Sequence, residues 1–192
     1  VGASSPLVIE ACVGFRRWSA IGAMWSSAPP DLGPAGASNR LSQIGPKIII
    51  AVPEYGYAGK RIDVGPTIRA VAESAAPEKI VLIGETVPES LTDLGCVTLA
   101  AFVAPYAAGE IVFNRLPVQA PLVILYSAGT TGKPKCITHS GGGLLLQHMK
   151  ELKLQCDIKE GERFFYFTTC GWMMWNWLVS GLALGATLVT YD

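Results

Sequence analysis

The sequence predicts an α/β fold, a parallel sheet with helices on both faces, and three observations carry that prediction. Two runs, Lys47-Ile-Ile-Ile-Ala-Val52 and Lys79-Ile-Val-Leu-Ile83, are apolar without polar alternation, as in strands covered on both sides. Segments of helical spacing stand between such runs, and helix–strand alternation is the pattern of a parallel sheet. Gly and Pro sit at the joints, notably Gly45-Pro46, Pro77 and Gly185.

Taken in order, residues 8–24 read as a helix of small and apolar side chains, closed by a loop over 26–33 that carries Pro29-Pro30-Asp31. Residues 37–44 form a short amphipathic helix that ends at Gly45-Pro46, because Pro disfavours helix at the residue before it. Strand 47–52 follows, then a helix over 67–76 stopped by Pro77, then strand 79–83. Residues 84–120 are loop-rich, with strand hints at 97–100. The run Leu122-Val123-Ile124-Leu125-Tyr126 reads as a buried strand, and a helical pattern begins near Gly143. The tail divides into strand 163–168, helix 172–184, a Gly185 cap and strand 186–191. No repeat or low-complexity linker marks a boundary, so residues 1–192 read as one unit.

Charged residues make up 16% of the chain and hydrophobic ones 50%, with 21 glycines besides. A typical soluble domain carries about 25% charged residues, so this composition suits a segment lying mostly inside something larger. Net charge is zero, which gives no sign of nucleic acid or an anionic surface as partner. The chain begins at Val1 without a signal-peptide pattern and stops just after an apolar strand, so it is expected to be an internal fragment of a longer enzyme. Residues 164–191 lack charge and are long enough to span a bilayer, with tryptophans at their head. Thr168, Thr169, Asn176 and several glycines break that run, which favours the strand–helix–strand division and leaves a membrane-associated fragment as the lesser alternative. Cys12, Cys96, Cys136, Cys156 and Cys170 show no C-x-x-C pair and no His at metal spacing, and read as buried reduced thiols of a cytosolic protein.

Chemistry concentrates in Ser127-Ala-Gly-Thr-Thr-Gly-Lys-Pro-Lys135. Two glycines, two threonines and two lysines bring backbone amides, hydroxyls and positive charge together, which is what a polyphosphate requires. It is not a Walker A loop. Gly129 precedes Gly132 by three positions, and Pro134 stands where Ser or Thr is needed. The nine-residue string resembles the nucleotide-phosphate loop of the adenylate-forming enzymes. A second string, running from Phe164 through Cys170-Gly-Trp-Met-Met-Trp-Asn-Trp177, resembles the acetoacetyl-CoA synthetase branch of that family. Ile21-Gly-Ala-Met-Trp-Ser-Ser27 and Arg40-Leu-Ser-Gln-Ile-Gly-Pro-Lys47 fit the same branch in the same order.

The resemblance implies part of an N-terminal AMP-binding domain over residues 1–192, with the mobile C-terminal domain absent. It implies an ATP-dependent ligase joining acetoacetate to coenzyme A through an acyl-adenylate, in the cytosol, with no nucleic acid or membrane partner. It places the amides of Ala128, Gly129 and Gly132, with Thr130 and Thr131, at the nucleotide phosphates. Ser127 then holds either the loop or a phosphate oxygen. Lys133 supplies charge, and Lys135 either supplies charge or is structural. Ala128 departs from the small hydroxyl residue of the family pattern, and Gly141 departs from a second His, leaving His139 as the only ring there. Met173 and Met174, with Trp172 and Asn176, would line the acyl pocket. No catalytic residue and no metal ligand is identified in this chain, and Mg²⁺ is implied for the longer enzyme. A catalytically dead nucleotide-binding or regulatory fragment remains the main alternative.

Overall fold

The computed structural model describes residues 1–6, 9–127 and 132–190. The chain opens with a strand, β1 (Gly2–Ser4), and a helix, α1 (Ile9–Ala20). Then come β2 (Ser26–Ala28), a single turn of tighter helix over Pro30–Leu32, and α2 (Gly33–Leu41). Next are β3 (Ile48–Ala51), the hairpin β4 (Glu54–Tyr57) and β5 (Lys60–Asp63), α3 (Gly65–Ala75) and β6 (Lys79–Leu82). A 3₁₀ stretch over Glu89–Leu94 leads to β7 (Val97–Thr98) and α4 (Leu99–Val103). The last part holds β8 (Pro121–Tyr126), β9 (Cys136–Ser140), α5 (Gly141–Lys150), β10 (Arg163–Phe164), α6 (Met173–Ser180) and β11 (Thr187–Leu188).

Five strands form a wholly parallel sheet in the order β2-β1-β3-β6-β7. The apolar runs predict this well because both faces of the sheet are covered. Ile49 and Ile80 point into a core built with Leu41 of α2 and Ile68 and Val71 of α3. Their sequence neighbours Ile50 and Val81 enter a second core with Cys12 and Phe15 of α1 and with Trp25 and Trp175. Period-two alternation thus sends adjacent residues into separate cores. Helices therefore flank both faces, as the sequence predicts.

Several boundaries differ for identifiable reasons. The first helix ends at Ala20, and residues 26–28, expected in a loop, form β2 instead. Ser26 and Ser27 are buried there, and their hydroxyls find partners: Ser26 Oγ lies 2.8 Å from the Ile124 carbonyl, and Ser27 Oγ donates to the Cys170 carbonyl at 2.6 Å. A serine strand is buried because its hydroxyls are satisfied. The helix α3 starts at Gly65-Pro66, with the Gly65 amide capped by Asp63 Oδ1 at 2.8 Å, and its last turn closes on Ala76 at φ 44° before Pro77. Strand β8 lies outside the main sheet, touching it through a parallel bridge between Trp25 and Val123. It pairs antiparallel with β9, so the Gly/Thr/Lys loop joins two strands of a hairpin rather than a strand to a helix. The predicted strand 163–168 shortens to β10, which pairs in parallel with β11. Gly185 closes the preceding helical segment at φ 75°, as expected.

The thiols split. Cys12 and Cys170 are buried, the latter donating to the Pro6 carbonyl, whereas Cys136 and Cys156 are exposed and Cys96 is half-buried. The expectation of uniformly buried thiols is corrected here: Cys136 follows the lysine-bearing arm of a surface hairpin, and Cys156 follows the end of a surface helix. Among the described residues no helix is long and apolar enough to cross a membrane.

Candidate functional site

The β8–β9 hairpin carries residues 127–135 at its tip. Ala128, Gly129, Thr130 and Thr131 lie outside the described residues, while Ser127, Gly132, Lys133 and Lys135 are described. Ser127 closes the neck of the loop. Its amide donates to the Lys135 carbonyl at 3.0 Å, and its Oγ accepts from the Lys135 amide at 3.2 Å. A hydroxyl that accepts there keeps its own hydrogen to offer an anion, so the two expected roles of Ser127 are compatible. Gly132 sits at φ 89°, in the left-handed region that favours glycine, and Lys133 and Lys135 are exposed on the same turn.

Besides the bonds between β8 and residues 25–26, side-chain contacts tie both arms of this hairpin to the rest of the fold. The hydroxyls of Tyr126 and Ser26 are 2.9 Å apart, and burial pushes the Tyr126 phenol up to about 12, so it stays a neutral hydrogen-bonding group. On the other arm, Gln43 Nε2 donates to the Pro134 carbonyl at 3.0 Å.

The pocket candidates fall on α6 and its approach. Trp172 caps the helix without a side-chain bond and is 62% exposed, Met173 is 46% exposed, and Met174 is half-buried. Trp172 and Met173, like Phe165, Tyr166 and Phe167, leave large apolar side chains exposed. Asn176 differs. It is 1% exposed, and neither atom of its amide has a hydrogen-bond partner among the described residues. An unsatisfied buried amide costs about 1–3 kcal/mol, so this one marks a place where a further polar group is wanted. The next residue back, Trp175, is fully buried and stacks on Trp25 at 6.0 Å between centroids. Core packing thus fixes α6 through Trp175.

Sequence reasoning missed two features near these residues. His148 of α5 is buried, with Nδ1 2.8 Å from Ser180 Oγ. Ser180 Oγ also lies 2.9 Å from the Asn176 carbonyl, so the hydroxyl bridges the imidazole and the turn of α6. Burial, reinforced by His139, holds the His148 pKa below the usual histidine value, against a smaller opposing effect of Glu151. The signal was available: Leu144, His148 and Leu152 share one helical stripe at intervals of four, all buried.

The second omission is a cleft of about 710 Å³ between the β4–β5 hairpin and residues 167–169, floored by Pro29, Pro30 and Asp31. The hairpin turns on Ala58 and Gly59, both at positive φ, which presents Tyr57 and Lys60 at the rim. Arg61 is held by Glu54 at 2.7 Å across the strands. Thr169 lines the same cleft with a buried hydroxyl that has no partner among the described residues. Tyr-Gly-Tyr-Ala-Gly-Lys-Arg does read as two short arms around a turn, but its polar exposed strands carry no core signal. No group of three or more His, Cys, Asp or Glu among the described residues could hold a metal ion, so the Mg²⁺ expectation rests on the resemblance alone.

A parallel sheet covered on both faces is a framework of the α/β class, and the AMP-binding enzyme family model matches residues 1–192. The chain belongs to that family. It is 53% identical over 194 residues to an acetoacetyl-coenzyme A synthetase of Rhizobium meliloti (strain 1021), covering 100% of this chain and 30% of that protein. An acetoacetyl-CoA synthetase of Danio rerio is 41% identical, over 97% of this chain and 29% of its own length. The structure of the acetoacetyl-CoA synthetase from Streptomyces lividans superposes with a TM-score of 0.92 at 37% identity, covering 100% of this chain and 29% of that one. The chain therefore spans under a third of the length of these relatives.

Proposed function

We propose that the polypeptide carrying this chain is an ATP-dependent acid–thiol ligase that converts acetoacetate to acetoacetyl-CoA, with the cytosol as its setting. In the first half-reaction a carboxylate oxygen bonds to the α-phosphorus, the bond from that phosphorus to the bridging oxygen of pyrophosphate breaks, and pyrophosphate leaves. In the second, the coenzyme A thiol, having lost its proton, bonds to the acyl carbon and AMP departs with the ester oxygen. The contribution of this chain to the first step is positioning and charge neutralisation. Lys133 and the hydroxyl of Ser127 meet the phosphates together with Thr130, Thr131 and the loop amides. Lys135 fixes the neck. Asn176 and the methionines Met173 and Met174 bound the acyl group, whose keto oxygen is an acceptor for the Asn176 amide. The cleft beside Tyr57 and Lys60 offers aromatic and cationic groups to the nucleotide end of coenzyme A.

The observation that carries this reading is the 53% identity along the whole chain to a synthetase of that name. Acetoacetate-dependent exchange of labelled pyrophosphate into ATP by the full polypeptide is the test. No exchange with any small acid, but measurable ATP binding, would turn the reading toward a nucleotide-binding module. Residues 1–192 alone are expected to release no AMP and to bind hydrophobic dyes, because Phe167, Trp172, Leu146 and Leu154 are all exposed. A monodisperse 192-residue monomer with a sharp melt and little dye binding would refute the fragment reading.

A further inference from the structure

A loop that reads phosphates must be fixed in attitude as well as in shape. The bonds between Ser127 and Lys135 close the neck of the hairpin, but they lie within it and would travel with it if it swung. Attitude is set by contacts to the body of the fold. The first arm is tied along β8, where the Trp25 amide donates to the Leu122 carbonyl at 2.8 Å, the Ile124 amide donates to the Trp25 carbonyl at 2.9 Å, and Ser26 Oγ lies 2.8 Å from the Ile124 carbonyl. Tyr126, on the first arm, meets Ser26 of β2. Pro134, on the second arm between the two lysines, meets Gln43 just beyond α2. The anchors of both arms come from residues 25–43.

We propose that Gln43 is a positioning residue for the phosphate loop, holding the Pro134 carbonyl so that Lys133 and Lys135 are presented at a fixed place. This rests on the ATP-binding reading given above. The geometry of Gln43 suits a brace. Its amide nitrogen has two hydrogens: one goes to the Asn39 carbonyl in the last turn of α2, at 2.6 Å, and the other to Pro134 at 3.0 Å. The first bond satisfies a carbonyl that the helix end would leave open and locks the side chain in direction. The backbone of Gln43 is itself tied back, its amide donating to the Arg40 carbonyl at 3.2 Å. Beneath it, Ala37 and Leu41 of α2 are wholly buried, so the brace stands on packed ground. Pro134 has no N–H and a restricted φ, so holding its carbonyl constrains the peptide that leads into Lys135.

The test uses the full polypeptide with Gln43→Met, which keeps length and loses the donor, and with Tyr126→Phe. Gln43 is exposed, so the thermal midpoint should not move. The KM for ATP in pyrophosphate exchange should rise about three- to tenfold, the range of one lost hydrogen bond, while the KM for acetoacetate stays as it was. Amide exchange at Ser127 and Lys135 should accelerate. Tyr126→Phe should have the smaller effect, because the backbone bonds between Trp25 and β8 still hold the first arm. An ATP KM within about twofold of the unaltered enzyme, with unchanged amide protection at the neck, would overturn the proposal, since a lost hydrogen bond that mattered must exceed that. Absence of any ATP-dependent exchange in the unaltered enzyme would instead remove the functional reading, and amide protection would still decide the brace.

Discussion

Gly171 stands where the chain enters the region of Trp172, Met173 and Met174, and a single methyl group there tests how tightly that region is fixed. A Cβ built on Gly171 would lie 2.1 Å from Cδ of Pro29 and 3.0 Å from its Cγ and backbone nitrogen. Ordinary contact between carbons needs about 3.5 Å, so the shortfall is well over an ångström. Neither side can yield cheaply. Pro29 is a rigid ring, and the chain beside Gly171 is held by the Ser27 hydroxyl, which donates to the Cys170 carbonyl at 2.6 Å. Overpacking of this kind costs about 1–3 kcal/mol, and a displaced backbone puts Gly171→Ala toward the upper end. The expected result in the full enzyme is a lower denaturant midpoint and a raised KM for acetoacetate, because Trp172 and Met173 shift with the backbone. Denaturation curves and pyrophosphate exchange measured across acetoacetate concentrations provide both readings. Stability within about 0.5 kcal/mol of the parent, with an unchanged KM, would refute the close approach as a determinant of the pocket.

Thr131→Ala and Lys133→Ala should each weaken pyrophosphate exchange by about 1–3 kcal/mol of transition-state stabilisation, and parent-like rates in both would reduce the loop to a turn. His148 is buried with a depressed pKa, so its neutral form stabilises the fold fully above the unfolded value of about 6.5, and that contribution is lost as pH falls through the folded value. Denaturant midpoints should therefore fall between neutral and mildly acid pH, less so in His148→Gln; equal slopes would contradict the assignment. Asn176→Leu replaces an amide without hydrogen-bond partners among the described residues by a side chain of similar volume, so it should raise stability by about 1–3 kcal/mol while raising the KM for acetoacetate. A variant neither more stable nor kinetically altered would show that Asn176 serves neither purpose.

What could be read from sequence followed what the residues bury. Ile49, Ile50, Ile80 and Val81 revealed their strands because each is apolar on both faces. The stop of α3 was marked by Pro77, whereas its start at Gly65-Pro66 lies two residues ahead of the expected Thr67. Strand β2 was hidden because Ser26 and Ser27 look like loop residues until their distant partners, Ile124 and Cys170, are in place. The exposed hairpin β4–β5 and the strand β9 were hidden for the opposite reason, since exposed strands need no apolar pattern. At the site, the loop announced itself through composition, but its antiparallel setting did not. The pocket residues were named from a resemblance, and their exposure separates Asn176 from Trp172 and Met173 in a way that no spacing rule gives.

The sheet works as a partition wall. On one side, Val123 and Leu125 of β8 share a core with Trp175 and Leu178 of α6, so the strand that leads to the loop and the helix that carries Met173 and Asn176 rest on one foundation. On the other side, α2 and α3 close a core of their own. A packing fault in α6 should therefore be felt at Tyr126, while a fault under α3 should leave that arm undisturbed. Gln43 is a footbridge over the wall. Through it, the α2 side reaches the second arm of the loop at Pro134, so one short turn answers to both halves of the molecule.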